Sequence, residues 1–85
     1  MNVVVVYDIK SDRLRTKLAK ELLYYGIRTQ YSVFEAQVNR HELKKLYKIV
    51  DRYSIDDDKV AIYEIHNDIK RFGTAQYLEE YGLIL

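Results

Sequence analysis

The sequence predicts an α+β domain in which two helices cover one face of an antiparallel sheet, with element order β-α-β-β-α-β. Three observations predict it. Val3, Val4, Val5 and Val6 are consecutive β-branched residues, which fit a pleated backbone and lose χ1 freedom in a helix. Leu14, Leu18, Leu22 and Tyr25, and later Leu43, Leu46, Tyr47 and Val50, recur at helical spacing. Ile27–Val38 and Lys59–Ile65 read as strands.

The chain has 85 residues, one small domain near the lower limit for a self-sufficient core. It has no cysteine, which excludes disulfides and thiolate metal sites. Dimerisation is the expected source of extra burial. No window resembles a membrane span and the first residues are already strand-like, so a cytoplasmic protein is expected. Net charge is +1, but residues 1–48 hold ten Lys/Arg against five Asp/Glu, whereas residues 49–85 hold four against eight. This asymmetry suits a polyanion on one face, although ordinary solvated helix surface would look the same.

The first strand, 1–8, is continuously apolar rather than alternating, so burial on both faces is expected. It ends at Asp8, a carboxylate that needs a cation, a donor or solvent beside it. Ser11 or Asp12 caps the first helix, and Gly26 is placed to end it in a left-handed cap. Arg13, Lys17, Lys20 and Tyr24 fall on a neighbouring face that can meet solvent or a ligand. Ile27–Val38 changes phase near Ser32, which predicts a tight hairpin or a bulge. Asn39 and Glu42 have capping-box spacing at the second helix. Asp56–Asp58 reads as a solvated loop; it lacks the glycine and terminal glutamate of a calcium loop. Residues 66–73 read as loop and turn, Tyr77–Tyr81 as a helical turn, and Gly82–Leu85 as a strand. The order is the ferredoxin-like pattern. A bare second sheet face next to the valines predicts a homodimer with sheets facing. Residues 66–85 are expected at the interface, with the aliphatic C-terminus adding to the partner's sheet.

The fold pattern hosts many functions. The opening VVVVYDI, the following SDRLRTKLAK and the segment YGIRTQYSVFEAQV are more specific. Together they resemble the CRISPR-associated endoribonuclease family, the small dimeric subunit that partners the CRISPR integrase in spacer acquisition. Gln30–Glu35 (QYSVFE), at its distance from Tyr7-Asp8, carries most of the likeness. The resemblance implies a metal-dependent endonuclease acting on single-stranded RNA or double-stranded DNA, which also bridges the integrase subunits. It implies that Asp8 lies near the two-fold axis, where two copies share Mg²⁺ or Mn²⁺. It implies that Arg13, Arg15, Lys17 and Arg28 contact nucleic acid; Lys17 stands where the family often has arginine, and a lysine lacks the bidentate fork.

The residues allow both functional and bland readings. A hard carboxylate oxygen at Asp8 suits Mg²⁺, which keeps most of its waters, yet aspartates after strands often only cap loops. The basic residues suit phosphate contacts, or a solvated helix face. Tyr7 and Tyr31 suit hydroxyls beside the site, or core rings with wet tips. Ser32 suits a phosphate or metal-water contact, or simply the turn, and Phe34 is structural and shapes the site. His41 and His66 have no partner at zinc spacing. Alternative functions are a non-catalytic ferredoxin-like nucleic-acid-binding or structural dimer, a metabolite-binding regulatory dimer, and a toxin-type ribonuclease. The first would stack bases on sheet aromatics, but the strand here is valine. The second would need a glycine-rich loop, and the chain has three glycines in all.

Overall fold

The computed structural model describes residues 1–72. Its elements are β1 (Asn2–Asp8), α1 (Asp12–Leu22), β2 (Gly26–Gln30), β3 (Val33–Gln37), α2 (Arg40–Tyr53) and β4 (Lys59–Ile65). The four strands form one antiparallel sheet in the order β2-β3-β1-β4. This is the ferredoxin-like arrangement, with the valine strand in the middle. Residues 66–72 are irregular, and the expectations for Tyr77–Tyr81 and Gly82–Leu85 lie outside the described residues.

The core lies between the sheet and the two helices. Val3, Val5 and Tyr7 of β1 join Phe34 and Ala36 of β3, Leu18 and Leu22 of α1, and Leu43, Leu46 and Ile49 of α2. Within one chain β1 is therefore buried on one face only, which corrects the expectation of burial on both. Val4 is half-buried and Val6 is 37% exposed, because both helices lie on the other side. Glu35, beside Val4 in register, is covered by Arg71, whose guanidinium pairs with its carboxylate at 2.5 Å. Both side chains are mostly buried, so the segment after β4 is anchored to the sheet.

The caps follow the sequence. Ser11 accepts from the Leu14 amide at 3.2 Å, and Asn39 and Glu42 form a reciprocal capping box at 2.8 and 2.9 Å. Gly26 does not cap α1, which stops at Leu22 with a right-handed cap residue, Leu23. Gly26 instead opens β2, where a Cβ would sit 2.0 Å from the Glu35 carbonyl oxygen and 2.8 Å from the Ala36 Cα. Close strand approach is what requires glycine there. The phase change in Ile27–Val38 has both expected causes: a tight turn at Tyr31–Ser32, and a register shift between Arg28 and Gln30. In α2, Leu43 and Leu46 are buried and Val50 packs against the core as expected, but Tyr47 is exposed and Ile49 takes the buried place instead. Tyr47 turns out to donate its hydroxyl to Glu64 of β4.

Candidate active site

The site is built at the end of β1. Side chains alternate along a strand, so Asp8 shares the open face with Val4 and Val6, opposite Tyr7. Its carboxylate is 69% exposed, and the Lys10 Nζ approaches its Oδ2 at 3.9 Å. Lys59 is its neighbour across β4 in register. Ile9, the next residue, is buried in the core and anchors the strand end. Solvent and Lys10 meet the need for compensation that the carboxylate creates.

Beside this strand end the fold gathers four more of the singled-out residues. The Tyr7 amide donates to the Ser32 carbonyl at 3.1 Å, continuing the ladder into the β2–β3 turn. The Tyr7 hydroxyl donates to the Tyr31 carbonyl at 3.4 Å, so its ring is core and its tip holds the turn. Arg15 stands with its guanidinium 5.5 Å from the Tyr31 ring centre, close enough for cation–π attraction. Arg15 also donates to the Ile9 carbonyl at 3.0 Å and pairs with Asp12, which raises its already high pKa. Arg15 is thus engaged within the chain, whereas Arg13, Lys17 and Arg28 are exposed. Phe34 is buried in the core beside Val5, its partner in register across β1.

Two contributors are not evident from the sequence. Asp58 accepts a hydrogen bond from the Lys10 amide at 2.9 Å, across 48 positions of sequence. Arg71 meets Glu35 on the open face. Asp58 is legible only once β1 is paired with β4, because the residue before β4 then lies level with the residue after β1. Among the described residues there is no group of three or more His, Asp or Glu side chains placed to hold a metal ion. Asp8 therefore offers one hard oxygen ligand per chain, which suits a hydrated Mg²⁺ but not a dehydrated, all-protein cage.

Residues 1–71 match the family model described as CRISPR associated protein Cas2. The chain belongs to the Cas2 family. A curated relative, the CRISPR-associated endoribonuclease Cas2 of Mycobacterium tuberculosis, is 46% identical over 65 residues. That alignment covers 76% of this chain and 58% of the relative, so the chain spans little more than half of its length. Among solved structures, Streptococcus pyogenes Cas2 at pH 6.5 superposes with a TM-score of 0.71 at 26% identity, covering 86% of this chain and all of that one. A chain of a partial Cas6-RT-Cas1–Cas2 complex superposes with a TM-score of 0.55 at 27% identity, covering 73% of this chain and 74% of that one. The Cas2 fold is thus shared across the described β-α-β-β-α-β unit. Among the described residues, no helix is long and apolar enough to cross a membrane.

Proposed function

We propose that this Cas2 protein is a homodimeric, metal-dependent endonuclease that also bridges the subunits of a Cas1-type integrase. The observation that carries the nuclease reading is the position of Asp8: an exposed carboxylate at the end of the central strand, on the face the helices leave open. A second copy laid against that face would cover Val4 and Val6 and would bring two Asp8 side chains toward one axis. Asp8 and its symmetry mate would then hold Mg²⁺ or Mn²⁺ together. Such an ion supplies Lewis-acid polarisation of a phosphoryl oxygen and a lower pKa for a bound water.

The rest of the site would bind and orient. Arg13, Lys17 and Arg28 are exposed cations suited to phosphate contacts that position a strand without reading its bases. The Tyr31 ring, 69% exposed and steadied by Arg15, offers a stacking surface at the turn. RNA is favoured as substrate by the name of the M. tuberculosis relative. The bridging role is supported by the likeness to a chain from a Cas1–Cas2 complex.

The test is cleavage of labelled single-stranded RNA and double-stranded DNA by wild type and Asp8→Ala, each with Mg²⁺ and with EDTA. Loss of the metal site removes several kcal/mol of charge stabilisation, so Asp8→Ala and EDTA should each lower the rate about 100-fold or more. Binding to nucleic acid and to the integrase subunit should persist in Asp8→Ala. Equal cleavage by wild type and Asp8→Ala would end the nuclease reading and leave the bridging reading standing.

A further inference from the structure

The segment that follows Asp8 is held from two sides, by a side chain of the next helix and by one 48 positions away. On one side the Asp58 carboxylate accepts from the Lys10 amide at 2.9 Å. On the other, the Arg15 guanidinium donates to the Ile9 carbonyl at 3.0 Å and is itself fixed by Asp12 and by the Tyr31 ring. The peptide unit between Ile9 and Lys10 is therefore gripped at both its oxygen and its nitrogen. Asp58 is delivered by a turn in which its own amide donates to the Ile55 carbonyl at 2.8 Å. That turn passes through Asp56 at φ 50°, a left-handed conformation uncommon outside glycine but tolerated by aspartate.

From this geometry we infer that Asp58 and Arg15 are positioning residues for Asp8: they fix the strand end that presents the carboxylate, without touching the reacting atoms. The inference rests on the Asp8 reading above. A shared ion on a two-fold axis tolerates little error in carboxylate position, because each chain supplies a single ligand. Residues that orient a metal ligand typically change affinity or rate by about 10- to 100-fold when removed. A functional demand of this kind accounts for a carboxylate spent on a lone backbone amide across the domain.

Asp58→Ala and Asp58→Asn separate the role from bulk stability. Asparagine keeps a carbonyl oxygen that can accept from Lys10, whereas alanine has none. In Asp58→Ala, kcat for RNA cleavage should fall about 10-fold or more with KM little changed, and Mn²⁺ affinity should fall similarly. In Asp58→Asn both should stay within about 3-fold of wild type. Backbone NMR order parameters at Ile9 and Lys10 should drop from about 0.85 toward 0.6 in Asp58→Ala alone, with α2 and β3 unchanged. Unchanged order parameters in Asp58→Ala would overturn the inference, whether or not the wild type cleaves. So would lowered order parameters with wild-type kcat and Mn²⁺ affinity, or an Asp58→Asn variant as impaired as Asp58→Ala. If Asp58→Ala fails to fold, Arg15→Lys takes its place. Lysine lacks the planar fork whose two nitrogens reach Ile9 and Asp12 separately, so it should produce the same kcat loss and the same rise in mobility at Ile9, and wild-type values in both would refute the role. Wild-type protein that lacks Asp8-dependent cleavage sinks the nuclease reading alone, since the order parameters still report on the clamp.

Discussion

Asp56 holds a left-handed backbone conformation that glycine would adopt without a Cβ clash. Asp56→Gly should therefore raise stability by about 0.5–1 kcal/mol, read as a higher midpoint in urea with an unchanged slope. Gly26 is the opposite case, since the atoms a Cβ would meet are backbone atoms of Glu35 and Ala36 that cannot swing aside. Gly26→Ala should cost about 1–3 kcal/mol, as overpacking does, and the loss should show in the same titration. Tyr47 and Tyr53 each donate toward a carboxylate, Glu64 and Glu21, and these hydrogen bonds push both phenols above their ordinary value of 10.0. A raised folded pKa stabilises fully below the unfolded value and loses that contribution as pH rises through the folded one. Wild type and Tyr47→Phe should therefore differ in melting temperature at pH 8 and converge above pH 10, which a thermal melt series would show.

At the level of elements, each helix is specified twice: by its apolar stripe and by the residue that caps its N-terminus. Asn39 and Glu42 satisfy each other's backbone groups at the start of α2, while Leu43, Leu46 and Ile49 fix its buried face. Asn39→Ala should cost about 1 kcal/mol, a fall of roughly 4–8 °C in melting temperature for a domain of this size. The helix itself should survive, because its packing against the sheet remains. β2 and β3 depend on a different device. Their turn is tied to β1 through Tyr7, which reaches Tyr31 with its hydroxyl and Ser32 with its amide. The hairpin that carries Arg28 and Tyr31 is thereby held beside the strand that carries Asp8.

For the molecule as a whole, the asymmetry of cover decides most. Both helices lie on one side of the sheet, and the other side keeps Val4, Val6 and the exposed Tyr63. Among the described residues, Arg71 lies on this side through its ion pair with Glu35. If a second copy completes this face, Val6→Glu should convert a dimer to a monomer in light scattering coupled to size exclusion. A charge at the centre of an apolar interface is left unpaired and desolvated. Cleavage should fall with the dimer, because each chain brings one Asp8.

What the residues determine by themselves is whatever depends on near neighbours in sequence. β-branched runs, helical spacing, the caps at Ser11 and Asn39, and the phase break at Ser32 were all legible, and so was an acid at the end of β1 that needs a compensating neighbour or solvent. Each follows from backbone sterics and periodicity within a few positions. The real reason for Gly26 and the partners of Asp58 and Arg71 were not legible. These depend on which strand lies beside which. Only the order β2-β3-β1-β4 brings the Asp58 carboxylate, 48 positions away, to the Lys10 amide and presses Gly26 against β3. Such contacts are made between surfaces that do not exist until the sheet and both helices have packed, so no local pattern announces them.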